Sequence, residues 1–263
     1  MTMRSYNTLK LSLEGATALL ALNRPEKRNA LSPELIEELL TALDAIEAAE
    51  AIRVLIITGE GPAFCSGMDL EYLKDLAGQT DEQNRADARR TTRMFRRLWS
   101  FPKPLIAAVN GAAMAGGCGI ATLADFTLAA EEAKFGYTEV RVGFIPALIS
   151  AFLQMQVGEK IARDLLLSGR IFGASEAKTL GLVTQIVPAA QLLGTARELA
   201  ASLAANSPGA LRTTKRLLVK CSEDELARRL QLGIEESVAI RKTADFREGL
   251  AAFLERRKAK WTA

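Results

Sequence analysis

Apolar positions along the chain switch between two-residue alternation, continuous runs and helical spacing, and these switches predict its elements. Residues 8–23 (TLKLSLEGATALLALN) read as two short strands around a Glu14-Gly15 turn. Ser32-Pro33 then opens a helix, with Ser as N-cap and Pro in the first position. Leu35, Ile36, Leu39, Leu40, Leu43 and Ile46 return at helical spacing and give that helix one apolar stripe. Val54–Thr58 is a continuous apolar, β-branched run, as expected for a parallel strand buried on both faces. Residues 59–67 read as a loop, 68–76 as a short helix, and 82–99 as a polar helix ending at Phe101-Pro-Lys-Pro104.

The second half continues in the same manner. Leu105–Val109 predicts a buried strand, followed by a Gly-rich turn and a buried helix. A strand follows at Asp125–Ala129 and a helix near 147–156. Residues 165–181 read as helix and turn, and Leu182–Val187 as a strand stopped by Pro188. Everything afterwards is helical, with a second Ser-Pro start at Ser207-Pro208 and a capping box at Ser222–Glu225. Strand–helix alternation predicts an α/β fold with parallel pairing and crossover helices. A boundary falls near 190, dividing a core (1–190) from a helical region (191–263).

Composition narrows the chemistry. The 263 residues include no histidine, which excludes Ser-His-Asp triads, Cys-His pairs and histidine-ligated zinc or haem. Proton transfer near neutrality then falls to a carboxylate, Lys, Tyr or Cys in a tuned environment. A balance of 34 basic to 31 acidic residues gives a net charge of +3, and no basic stretch carries stacking aromatics, so nucleic acid is not an expected partner. Cys65, Cys118 and Cys221 form no metal-type spacing and are odd in number, so no disulfide framework is expected. The N-terminal run shows no signal-peptide core, and together with the cysteines this points to the cytoplasm. The uncharged stretch between Lys103 and Asp125 is close to the ~20 residues needed to span a membrane. Its Ala and Gly content, with Asn110 in the middle, predicts a buried strand and helix instead.

Two segments echo one another. Val54–Thr58 leading to Phe64–Leu70, and Leu105–Val109 leading to Ala115–Ile120, each run from an apolar strand through small residues into a helix start. Helix starts carry free backbone N–H groups and a positive dipole end. Two of them side by side would make a two-donor oxyanion hole.

Several segments occur in a telling order: Asn23-Arg-Pro-Glu-Lys-Arg-Asn-Ala-Leu31, Ala63-Phe-Cys-Ser-Gly-Met-Asp-Leu70, Asn110–Gly119, Phe135–Gly143 and Glu248–Arg257. In this order and spacing the chain resembles the crotonase (enoyl-CoA hydratase/isomerase) family over essentially its whole length. The resemblance implies an α/β spiral of repeated ββα units and a C-terminal helical region that makes trimers or dimers of trimers. It also implies acyl-CoA thioester substrates, with no cofactor beyond the CoA that the substrate carries and no metal. The thioester oxygen would be held by the backbone N–H groups of Met68 and Gly116, with Gly117 allowing close approach. The CoA moiety would lie along Ser66, Met68, Asp69 and Leu70 beside Ala30, with Lys27 and Arg28 near its phosphates and Phe253 and Arg256 reaching it from the last helix. Glu71 stands where the family often has Lys, which weakens the phosphate site there, and Asp69 reads as a helix-start carboxylate.

The acid–base residues depart from the family pattern. Hydratases of the family commonly use two glutamates; the first falls on Gly119, which has no side chain, and the second on Glu139. Near Val140, Val142, Phe144 and Ile145, the Glu139 carboxyl is expected to have a raised pKa. The expected activity is hydration of a 2-enoyl-CoA to a 3-hydroxyacyl-CoA, with 3→2 double-bond isomerisation by Glu139 alone as the alternative. Ala147 stands where dehalogenases of the family place a nucleophilic Asp, which disfavours that reaction. A non-catalytic acyl-CoA- or RNA-binding relative stays open because of Gly119. A dinucleotide site on the Gly111–Gly119 loop is disfavoured, because its spacing does not match GxGxxG.

Overall fold

The computed structural model describes residues 5–261; residues 1–4, which open the N-terminal run read above, lie outside them. β1 (Leu9–Glu14) and β2 (Thr17–Leu22) form the predicted hairpin, antiparallel with Leu9 opposite Leu22. The chain then repeats one plan. A long strand is followed at once by a short one: β3 (Val54–Gly59) by β4 (Ala63–Cys65), β5 (Leu105–Val109) by β6 (Ala112–Met114), and β7 (Phe126–Ala130) by β8 (Lys134–Gly136). β9 (Ile171–Gly173) and β10 (Gln185–Val187) complete the set. The long strands join the larger sheet, ordered β1-β2-β3-β5-β7-β10, and the short ones the smaller sheet, ordered β4-β6-β8-β9. Pairing is parallel except for β1 with β2 and β8 with β9.

Helices fill the crossovers: α1 (Pro33–Ala48), α2 (Leu70–Leu76), α3 (Asp81–Trp99), α4 (Gly116–Leu123), α5 (Ala147–Ser168) and α6 (Ala174–Thr179). After them come α7 (Leu192–Ala204), α8 (Pro208–Lys220), α9 (Glu223–Ile240) and α10 (Ala244–Leu254). The β3 side chains show why its apolar run is continuous. Leu55 and Ile57 enter the main core, whereas Val54 and Ile56 face α7, where Leu192, Ala196 and Ala200 cover them. Each such Leu or Ile, fully buried, contributes ~1.5–3 kcal/mol.

Several expectations need correction. The loop read at 59–67 contains β4, and the Gly-rich turn contains β6; strands of three residues are too short to show a period. The helix placed near 147–156 runs to Ser168, with a bend at Gly158, whose φ and ψ are 74° and 169°. The strand read at 182–187 shrinks to Gln185–Val187. Ser207 caps α8 through Ala210 N, but Ser222 sits at φ −127°, ψ 0° and forms no capping bond. Its intended partner Glu225 is engaged instead by Arg228 and Arg229, each at 2.8 Å. The uncharged stretch is divided between β5, β6 and α4, and no described helix is long and apolar enough to cross a membrane.

One buried side chain fastens the Asn23–Leu31 segment to the small sheet. Asn29, fully buried at φ 56°, donates from Nδ2 to Glu60 O (2.9 Å) and Ala63 O (2.8 Å), while its Oδ1 accepts from Arg24 N (2.9 Å). Arg24 in turn bonds Ala30 O at 2.6 Å and Asp69 Oδ2 at 2.9 Å. Asn29→Ala strands these backbone groups and puts a strained residue at positive φ. A loss of about 2–4 kcal/mol is expected in the urea midpoint, whereas a surface Asn→Ala control stays within ~0.5 kcal/mol.

Candidate active site

Because β4, β6 and β8 pair in parallel, the chain leaves all three at the same edge. Ala63 lies opposite Ala112, and Met114 opposite Gly136. The residues that follow the three strands are Ser66-Gly67-Met68, Ala115-Gly116, and Tyr137-Thr138-Glu139. The first two turns press backbone against backbone. Gly67 has φ 88°, and a Cβ there would lie 2.8 Å from Ala115 Cβ and 3.0 Å from Met114 O. A Cβ on Gly117 would meet Cys65 O at 2.2 Å, so only glycine fits. Ala115 itself takes φ 48°, a conformation costing ~1–3 kcal/mol outside glycine, and its N–H bonds Gly136 O at 2.7 Å. That strained residue aims Gly116 N at the start of α4, where helix N–H groups have no intrahelical acceptor.

The three turns open on a cavity of about 750 Å³. Of the sequence candidates, Met68, Gly116 and Glu139 line it, as do Lys27, Arg28, Ala30, Ser66, Asp69, Leu70 and Phe253. Gly117, Gly119 and Arg256 do not: Gly117 lies behind the wall against Cys65, and Arg256 follows the end of α10 at φ 55°. Gly119 faces hydrocarbon. A Cβ there would fall 2.4 Å from Ile149 Cδ1 and 3.1 Å from Phe95 Cε1, so the space a second glutamate would need is already filled.

Glu139 opens a 3-10 turn (Glu139–Val142). Its Oε2 is shielded from solvent and has no hydrogen-bond partner among the described residues. Val142, Phe144 and Ile145 line the same cavity. Burial pushes the carboxyl up to about 7, against the smaller opposing pull of its own backbone N–H. Behind the turn, Tyr137 is fully buried with its hydroxyl 3.2 Å from Thr122 Oγ1.

At the cavity's charged rim, Lys27 Nζ is paired with Glu71 at 2.9 Å, and Glu71 raises its pKa, so Lys27 stays protonated. Asp69 is the N-cap of α2, accepting from Glu71 N at 3.1 Å while its other oxygen holds Arg24. Sequence reading missed Phe95 and Ile149, and also Thr91, Ser237 and Arg241, which line the cavity from α3 and the end of α9. A signal for them does exist. On α3 the buried positions Asn84, Asp87 and Thr91 continue the stripe of Phe95 and Leu98, so polar residues occupy core spacing. No described group of three His, Cys, Asp or Glu is arranged to hold a metal ion.

The family model for enoyl-CoA hydratase/isomerase matches residues 13–263. The chain belongs to the enoyl-CoA hydratase/isomerase family. A Thermus thermophilus relative, provisionally named an enoyl-CoA hydratase, is 44% identical over 93% of this chain and 96% of its own. The crotonyl-CoA hydratase of Syntrophomonas wolfei is 33% identical over 97% and 98%. A crystal structure of an enoyl-CoA hydratase/isomerase from Xanthobacter autotrophicus superposes with TM-score 0.89 at 32% identity, covering 98% of this chain and 100% of that one. The ββα repeats and helical C-terminal region are thus the crotonase spiral that the segments implied.

In this family member the buried carboxyl has a thermodynamic signature. Its folded pKa, about 7, lies above the usual 4.5, so the ionised form destabilises the fold. The group's stabilising share is complete below 4.5 and is lost as pH rises through about 7. Glu139→Gln abolishes that titration. From pH 4 to pH 8 the variant is expected to gain on the natural chain by up to ~3 kcal/mol in urea unfolding; parallel pH curves would refute the buried carboxyl.

Proposed function

We propose that this chain hydrates a 2-enoyl-CoA to a 3-hydroxyacyl-CoA. The observation that carries the reading is Glu139, its Oε2 buried without a partner, lining the cavity that Met68 and Gly116 also line. The thioester oxygen accepts from Met68 N and Gly116 N. Glu139 removes a proton from water as the oxygen adds to C3, and the displaced electron pair moves through C2 to the thioester oxygen as an enolate. The protonated Glu139 then returns its proton to C2, and the enolate collapses to the product. One carboxyl serves as base and then acid, and a pKa near 7 suits both roles. The two N–H donors act where charge develops, and each is worth ~2.7–4 kcal/mol of barrier.

Relatives with hydratase names, the Syntrophomonas wolfei crotonyl-CoA hydratase among them, support this reading over its rival. The rival is proton shuttling between C4 and C2 of a 3-enoyl-CoA, which the hydrocarbon at Gly119 would suit by keeping that wall dry. CoA itself enters with the substrate, along Ser66–Leu70 and Lys27, Arg28, Ala30 and Phe253. Self-association belongs to the same reading, as trimers or dimers of trimers. α8 has no buried residue, and Leu217 and Leu218 stand 61% and 65% exposed on it. A cytoplasmic location and the division at residue 190 complete it.

Incubation of 2-enoyl- and 3-enoyl-CoA, each alone, separates the reactions. Hydration yields 3-hydroxyacyl-CoA from the 2-enoyl thioester; double-bond migration without hydroxyacyl product would establish the isomerase. Binding of both without turnover would establish a non-catalytic relative. Glu139→Gln is expected to lower kcat by roughly 10²–10⁴ with thioester affinity retained. Light scattering is expected to give a trimer or hexamer mass, and a monomer would refute the assembly.

A further inference from the structure

Beyond the residues that would hold CoA and move the proton, the cavity has a second polar region. Arg241, at the end of α9, is 3% exposed and held by Asn84, Asp87, Ser237 and Phe144. Its Nη1 donates to Asn84 Oδ1 (2.9 Å), its Nη2 to Asp87 Oδ2 (2.8 Å), and the guanidinium lies 5.7 Å from the Phe144 ring centroid. The other oxygen of Asp87 accepts from Tyr72 OH at 2.6 Å and lies 3.8 Å from Arg90 Nη1, so both oxygens of that carboxylate are engaged. Arg241 Nε is buried with no partner among the described residues. So is the hydroxyl of Thr91, a residue 6% exposed, and both residues line the cavity.

A buried donor without an acceptor is costly, and two among the residues of one cavity call for an acceptor that the described residues do not supply. Their position says where that acceptor sits. Thr91 precedes Phe95 by one turn of α3, about 6 Å along the axis. Phe95 Cζ is 3.6 Å from where a Gly116 Cβ would be, beside the turn expected to hold the thioester oxygen. Thr91 therefore lies about one helical turn from the reacting end of the acyl group, and Arg241, bonded to Asn84 and Asp87, about one to two turns further along α3.

We propose that Thr91 and Arg241 form a subsite for an oxygen carried on the acyl chain, making a hydroxyl-, oxo- or carboxyl-bearing acyl-CoA the preferred substrate over a plain alkyl one. The inference rests on the acyl-CoA reading of the cavity but not on its reaction. Arg241 Nε–H and the Thr91 hydroxyl donate to that oxygen. A plain chain leaves both unpaired, and a site built around hydrogen bonds discriminates strongly against ligands that lack them.

Titration calorimetry with saturated acyl-CoA esters of matched length tests this without turnover. A plain, an ω-hydroxy and an ω-carboxy series are compared on the natural chain. At the best length an oxygenated ester is expected to bind at least roughly tenfold tighter than its plain counterpart. Whether the hydroxy or the carboxy arm gains more identifies the oxygen. Thr91→Val removes a hydroxyl that supports nothing else in the fold, so its urea midpoint should hold while the oxygenated-to-plain ratio falls roughly tenfold. Arg241→Lys keeps a cation for Asp87, removes Nε, and should lower the same ratio. Equal binding of the series at every length, or a Thr91→Val ratio unchanged from the natural chain, overturns the subsite. Failure to bind any acyl-CoA would instead overturn the thioester reading itself.

Discussion

The cavity depends on how closely two backbone turns can lie. The turn after β4 and the turn after β6 touch through Gly67 against Ala115 and through Gly117 against the Cys65 carbonyl, at separations that leave no room for a Cβ. Parallel pairing brings the two strand ends together, but strands at normal spacing would hold side chains between the turns. Omitting those side chains brings the backbone of Met68 and Gly116 to the wall of one cavity. The positive φ of Ala115 is the strained counterpart of that contact, held by its own bond to Gly136 O on the third strand. The turns carrying Met68, Gly116 and Glu139 are thereby set in one register.

A second constraint is charge in a dry place. The cavity presents hydrocarbon around Glu139 and fills the site of a second glutamate with Ile149 and Phe95. A lone carboxyl there stays near the midpoint of its titration at neutrality, where it can take and give a proton with little bias. Adding a carboxylate opposite would demand room and solvation that Ile149 removes. With histidine absent throughout, Glu139 is the cavity group that burial brings to titrate near neutrality, and the proposed reaction would turn on it.

Much of this was legible in the sequence. The continuous run of β3 announced a strand covered on both faces, and the stripe of α1 gave that helix its buried side. The echo between the two strand–turn–helix segments anticipated turns that do lie side by side. What escaped were features without a period or without locality. β4 and β6 are too short to alternate, and Ser222 and Glu225 had the spacing of a capping box yet lost it to two arginines on the same helix. Arg241 was invisible as a cavity residue because its partners, Asn84 and Asp87, are far away in the chain. Gly119 was seen as a vacancy, but the residue that fills it, Ile149, comes from a different helix.

The last helix binds both halves of the site together. Phe246 and Leu250 of α10 pack with Leu73 and Leu76 of α2, just after the Met68 turn. A Cβ on Gly249 would strike the Val142 carbonyl carbon at 2.4 Å, and one on Gly143 would strike the Asp245 carbonyl oxygen at 2.3 Å, so α10 also sits directly on the Glu139 turn. During synthesis the sheets can form while this helix is still inside the ribosome. A growing chain therefore holds the Met68 and Glu139 turns on unbraced walls, and the cavity becomes whole only once α10 has emerged and docked.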